Sequence, residues 1–233
     1  MINKLHFTVL FVVFAVALSL TACSGEDGTL YNDIMTMLGF DMNDYENEAA
    51  VRFLDDGDEV YEKIRGIVSI LIYDSAHIST FETTREAAAG NIDAILNYML
   101  KSSYSAYSGN AELLKAAETA YPQYHITTLI PKGDFESYVY RYFGGDSSVQ
   151  HSSSARFTFL SKVNAYTTTG QPADSNVVVT VTGCVETSHT YRADITLSQN
   201  GESVDYKSMI MKRDDGTLYM KYLRLAETSD ENK

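Results

Sequence analysis

Residues 176–225 read NVVVTVTGCVETSHTYRADITLSQNGESVDYKSMIMKRDDGTLYMKYLRL, and this stretch decides the fold. Tyr191, Ala193, Ile195 and Leu197 alternate with Arg192, Asp194, Thr196 and Ser198, the period of two that gives a strand one buried and one wet face. Asn200-Gly201 and Asp215-Gly216 are residue pairs that accept the positive backbone angles of tight hairpin turns. Four strands are therefore expected, at 176–185, 191–198, 203–212 and 217–225, joined as an antiparallel meander. Cys184 falls within the first of them and reads as a small buried hydrophobe.

Upstream, the period changes. Val60, Ile64, Ile67, Val68, Leu71 and Ile72 share one face of a helix, although the β-branched run from Ile67 to Tyr73 also suits a buried strand. Ser79-Thr80-Phe81-Glu82 has the form of a capping box. It predicts a second helix with Phe81, Ala88, Ile92, Ile95, Leu96 and Met99 inward, at some cost from Gly90. Ala111 to Ala120, capped by Asn110 and stopped by Pro122, is the third. His125 to Ile130 reads as a strand. Asp134 caps a short helix with Phe135, Tyr138, Val139 and Tyr142 on one side, and Gly144 suits its C-terminal end. A Ser-rich loop follows from Asp146 to Ser154, then a strand or irregular edge between Phe157 and Thr168.

Helices first and an antiparallel sheet last make the class α+β, with the helices packed on a curved, mostly antiparallel sheet that ends in the meander. The order helix, helix, strand, short helix and several strands, over residues 79–225, resembles the nuclear transport factor 2-like superfamily and its cystatin-like relatives. That resemblance implies a cone with a concave sheet. Its members include enzymes, ligand carriers and docking modules, so the fold alone assigns no activity.

The N-terminus has its own logic. Lys4 is the single charge before an apolar run from Phe7 to Leu20, and small residues lead to Cys23, the layout of a secretory signal. Leu20-Thr21-Ala22-Cys23 resembles the lipobox of bacterial lipoproteins. The resemblance implies that residues 1–22 are removed and that Cys23 carries the acyl chains of a membrane anchor on the extracytoplasmic side. Leu5 to Ala22 also approaches the roughly 20 residues of a membrane span, but Cys23 stands where processing would place it. Residues 23–59 then read as an acidic tether, with Leu30, Ile34, Met35, Leu38 and Phe40 able to form a short docking helix. Residues 60–225 form one domain and residues 226–233 a polar tail.

Charge and missing motifs narrow the function. The chain holds 31 Asp and Glu against 18 Lys and Arg, which disfavours nucleic acid, whose phosphates call for cationic side chains. With Cys23 lipidated, Cys184 has no intramolecular disulfide partner. The Asp55-Asp56-Gly57-Asp58-Glu59 cluster lacks the alternating ligands of a calcium loop and reads as a turn before a helix. There is no nucleophile elbow, no P-loop and no zinc-binding H-E-x-x-H, and no motif asks for a cofactor or metal. His77, His125, His151 and His189 are scattered and read as surface or turn residues.

Tyrosine is the unusual component, at 17 residues against no tryptophan. Tyr138, Tyr142 and Phe143 lie together on the short helix and are the candidate ligand-binding residues, since a phenol offers a flat apolar face with one polar handle. The resulting expectation is a noncatalytic module that binds an envelope protein, a peptide or a small ligand. The alternative is an enzyme with a buried carboxylate beside a Tyr in an apolar cavity. Asp194 and Asp205 are its strand acids, although alternation puts Asp194 on the wet face.

Overall fold

The computed structural model describes residues 45–226. Cys23, the signal and most of the tether lie outside the described residues, as does the tail from 227 to 233. The chain divides into two units between Glu48 and Ala49. Of the first, only a single 3-10 turn at Tyr45–Asn47 is described.

The second unit is α+β. Its main sheet has five strands in the order β1 (Arg52–Phe53), β5 (Val178–Glu186), β6 (Thr190–Gln199), β7 (Glu202–Lys212) and β8 (Leu218–Leu225), and every pairing is antiparallel. The expected meander is β5 to β8, with ends shifted by no more than two residues. Asn200 (φ 53°) and Gly201 (φ 88°) make the two-residue turn between β6 and β7, and Gly216 (φ 79°) serves the turn between β7 and β8. Ala193, Ile195 and Leu197 are buried while Asp194 is exposed. From Ser208 to Met211 β7 is buried on both faces, as its unbroken Met-Ile-Met run would suggest.

The domain starts earlier than the expected boundary at 60. Arg52 and Phe53 pair with Glu186 and Val185, and Leu54 is buried and donates its N–H to the Cys184 carbonyl at 3.0 Å. A two-residue strand carries too little alternation to be read from a sequence. After it, α1 (Glu59–Ser69) forms where the helical period predicts it but ends short of the expected Leu71 and Ile72, and its Tyr61, Ile64, Ile67 and Val68 face inward against β5 and β8.

The second helix is divided. Thr83 is the cap, accepting from the Glu86 N–H, and α2 spans Thr84–Gly90 while α3 spans Ile92–Ser102. Phe81 is no helix residue: it exchanges two 3.0 Å backbone hydrogen bonds with Leu223 and so extends the sheet beyond β8. The break at Asn91 has a specific cause. Its buried amide donates to the carbonyls of Ser79 and Ala87 and accepts from the Ser79 N–H. A Cβ on Gly90 would stand 2.8 Å from the Ser79 Cβ, so this glycine permits the close approach.

α4 (Tyr104–Ser108) was not legible in the sequence, whereas α5 (Ala111–Ala120) has its expected bounds and its Asn110 cap. The expected strand at 125–130 shrinks to β2 (Ile130–Pro131), which joins β4 (Ala165–Thr167) and β3 (Thr158–Leu160) in a separate three-stranded sheet. Thr128 and Thr167 instead tie the preceding segment through side-chain hydrogen bonds. α6 spans Lys132–Phe143 with Pro131, not Asp134, at its cap position. The Asn164 carbonyl accepts the Lys132 N–H at 2.8 Å, which satisfies a first-turn donor and lets the helix begin earlier.

One core joins α1, α2, α3, α6 and the inner sheet face, with Ile64, Val68, Leu96, Leu100, Phe135, Phe143, Ile195, Leu197, Ile210 and Leu223 buried together. A smaller cluster lies under α5. Each such side chain contributes about 1.5–3 kcal/mol through burial.

Candidate functional site

The helical period separates the three candidate aromatics on α6. Phe135, Val139 and Phe143 recur every four residues and form the core stripe, whereas Tyr138 and Tyr142 form the adjacent, half-buried one. Phe143 is a correction to the expected site: only 1% exposed, it meets Phe81 edge to face at 5.8 Å. Tyr138 and Tyr142 lie 4.7 Å apart by ring centroids, and Tyr98 of α3 reaches Tyr138 at 6.3 Å. Tyr98 was not singled out by the sequence, because its partners lie 40 and 44 residues away.

Two surface troughs share Tyr98 as a lining residue and are taken together as the two halves of a groove. One half, of about 340 Å³, runs between Lys63, Gly66, Ile67 and Ile70 on one side and Arg141, Tyr142 and the β7–β8 turn (Gly216, Thr217, Leu218) on the other. The second, of about 380 Å³, lies between Ser69, Ile72 and the segment Ser175–Val177, with Tyr98, Lys101 and Ser102 from α3. Both halves are open troughs rather than closed cavities. Tyr138 does not line either half; its ring backs those of Tyr98 and Tyr142.

Local structure fixes the walls. The Arg213 guanidinium donates to the carbonyls of Tyr140 and Arg141 at 2.8 and 2.9 Å and lies 4.4 Å above the Tyr219 ring. It therefore caps the C-terminus of α6 with a cation, where the helix dipole favours one, and ties α6 to the β7–β8 turn beside it. Gly144 then leaves the helix at φ 80°, and a Cβ there would meet the Tyr219 ring at 2.8 Å. Two independent constraints thus hold this position to glycine.

Among the described residues, the groove's lining carries cations and no carboxylate. Lys63, Lys101 and Arg141 are its charged lining residues. The Tyr138 phenol is pushed well above its ordinary value by burial and by its neighbours Tyr142 and Tyr98, so it stays neutral at physiological pH. Asp194 and Asp205 are exposed strand residues on the far face of the sheet and do not line the groove. Among the described residues no Asp or Glu is buried, and no cluster of three His, Cys, Asp or Glu side chains could hold a metal ion.

A second polar group escaped the sequence reading. His151, expected at the surface, has a side chain only 8% exposed. Its Nδ1 lies 2.8 Å from the Tyr166 hydroxyl and its Nε2 lies 3.1 Å from Glu136 Oε1, with Phe159 stacked at 5.3 Å. Burial, together with Glu136, pushes the Tyr166 phenol up to about 12. These three groups join α6, the Ser-rich loop and β4, but none lines the groove. Their arrangement is a buried clasp. Cys184 is likewise inert in form: it is 4% exposed, and burial, with Glu186 next, pushes its thiol up to about 11. The thiolate that nucleophilic chemistry requires is therefore scarce.

No match was found when the chain was compared with protein-family models, curated proteins and solved structures.

Proposed function

We propose that this chain is a lipid-anchored extracytoplasmic lipoprotein whose folded domain is a noncatalytic binding module, with the tyrosine groove as its site. The observation that carries the reading is the groove itself: aromatic rings from α3 and α6 facing the exposed side of α1, with cations at the rim and no acid among the described lining residues. Tyrosine presents a large contact surface on few rotatable bonds, so little entropy is lost when a ligand covers it. A buried carboxylate was the part that the enzymatic alternative needed, and none is present among the described residues.

We further propose that the fold is a variant of the nuclear transport factor 2-like cone. In support, α1, α3 and α6 share one core with a single face of the meander. The separate three-stranded sheet is the feature that such a variant must accommodate.

Two experiments test the reading. Cys23→Ala should abolish incorporation of labelled fatty acid and release the chain from the membrane fraction; retained label would overturn the anchor. A photo-crosslinking amino acid at position 142 should capture a partner in cells, whereas one at Asp194 should not. Gly66→Leu is the control for the site. A Cβ at Gly66 meets nothing within 4 Å, so the larger side chain should fill the trough without disturbing the fold. Capture that survives Gly66→Leu would refute binding in the groove.

A further inference from the structure

We propose that the groove takes an extended acidic peptide, with one apolar side chain on each side of Tyr98 and a carboxylate at Arg141. This rests on the groove being the binding site and adds the chemistry of what enters it.

The charge argument comes first. In a chain with 31 acidic and 18 basic side chains, the charged residues lining the groove among the described residues are three cations. Lys63 is paired with Glu59 at 2.9 Å and Lys101 with Asp174. Arg141 has no carboxylate partner among the described residues. Its guanidinium is exposed and stands 5.3 Å from the centroid of the Tyr142 ring. A planar guanidinium backed by an aromatic face is suited to receive a carboxylate through two parallel hydrogen bonds.

Shape selects the kind of ligand. The lining from Lys63 to Ser69 follows α1, a rise of about 9 Å at roughly 1.5 Å per residue. The second half continues past it to Ile72 and Val177. About three residues of extended chain cover the α1 portion at ~3.3 Å each. In an extended chain, side chains i and i+2 point the same way about 6.6 Å apart. That spacing lets two apolar side chains enter the two halves and straddle the single ring between them. A small molecule is less well served, because its sites usually enclose ~70–90% of the ligand surface and both halves are open.

The test is a selection from a random twelve-residue peptide library against the full-length lipidated chain in detergent. The expected result is enrichment of peptides with apolar residues two apart and a nearby Asp or Glu. A synthetic copy should bind at least tenfold more weakly to Arg141→Glu and to Tyr98→Ala. Replacing its acids with Lys should abolish binding. Melting curves confirm that each variant remains folded. Peptides that lack acids, or that ignore Arg141→Glu, would overturn the inference. If such peptides still lose binding to Gly66→Leu, the groove stands as a site and only its charge preference falls. If no peptide is enriched, or if binding ignores Gly66→Leu, both proposals fall.

Discussion

The β6–β7 hairpin and the tyrosine groove are built in opposite ways. The hairpin joins ten pairs of residues from Thr190↔Met211 to Gln199↔Glu202 across one two-residue turn. Its partners are near in sequence, and its information is local. The groove brings together α1, α3, α6, the β7–β8 turn and the approach to β5, so residues from Lys63 to Leu218 share one trough. The contrast teaches that the sheet is the scaffold, set by local pattern, while the site depends on how distant elements dock upon it. Loss of scaffold contacts should therefore reduce stability, and loss of groove rings should reduce binding with little effect on stability.

Adjacent residues on α6 give the largest test. Phe143→Ala should lower the unfolding free energy by about 3–5 kcal/mol, the usual cost of removing a buried ring. Tyr142→Ala should cost no more than about 1 kcal/mol, as expected for a change away from the core, while weakening the selected peptide's binding at least tenfold. Urea titrations of both variants measure this. Equal costs would erase the distinction between scaffold and site.

Tyr206→Phe comes next. The Tyr206 hydroxyl accepts from the Ile78 N–H at 2.9 Å and donates to the Ala76 carbonyl at 3.2 Å, all in buried surroundings. Its removal leaves a buried N–H unsatisfied, at a cost of about 1–3 kcal/mol. A shift of the urea midpoint without a change in ligand capture would place this contact on the scaffold side.

Acid should act on the scaffold at two places. A hydrogen bond from Lys212 is the main reason that the Glu186 carboxyl is held below its ordinary value, against burial and with help from Arg52. At Asp146, burial is the largest influence and raises the value, but hydrogen bonds from Lys221 and Thr84 outweigh it and the net direction is down. A carboxyl depressed in the folded state stabilises the fold above its unfolded value, near pH 4. That contribution is lost as pH falls through the folded value. Urea midpoints measured from pH 6 to pH 2 should decline below about pH 4. Lys212→Met should flatten the part of the decline due to the sheet edge, and Lys221→Met the part due to the α2–α6 junction.

The smallest expected effect has the opposite sign. Gly66 lies in the interior of α1 with open space where a Cβ would stand, so Gly66→Ala should stabilise by roughly 0.5–1 kcal/mol. Weaker ligand capture at the same time would show that the position is kept bare for the groove.

Particular residues show how far the sequence could be read. Asn200-Gly201 and the alternation around Ile195 placed the meander, because strand period and turn geometry are properties of neighbours. Asn110 and Gly144 likewise marked the ends of α5 and α6. The division of the second helix was hidden, since it depends on Asn91 reaching Ser79 across a bend. Two-residue β1 and β2 were too short to carry a period. At the site, Tyr138 and Tyr142 were visible as a cluster on one helix. Tyr98 was not, and Phe143 was grouped with the two tyrosines although it faces the core, because four-residue spacing separates positions that look adjacent along the chain.

The sequence by itself determined the α+β class, the four-stranded meander, a helix beginning near 60 and one at 111–120, and a buried Cys184. Each follows from contacts within or between neighbouring segments, for which the pattern of apolar residues is sufficient. Only the tertiary structure decided that Tyr98 stands between two halves of a groove, that Phe143 faces the core, and that His151 is clasped by Glu136 and Tyr166. Those outcomes depend on the docking of segments distant in sequence, where burial of one shared core selects which faces meet and no single segment records its partner.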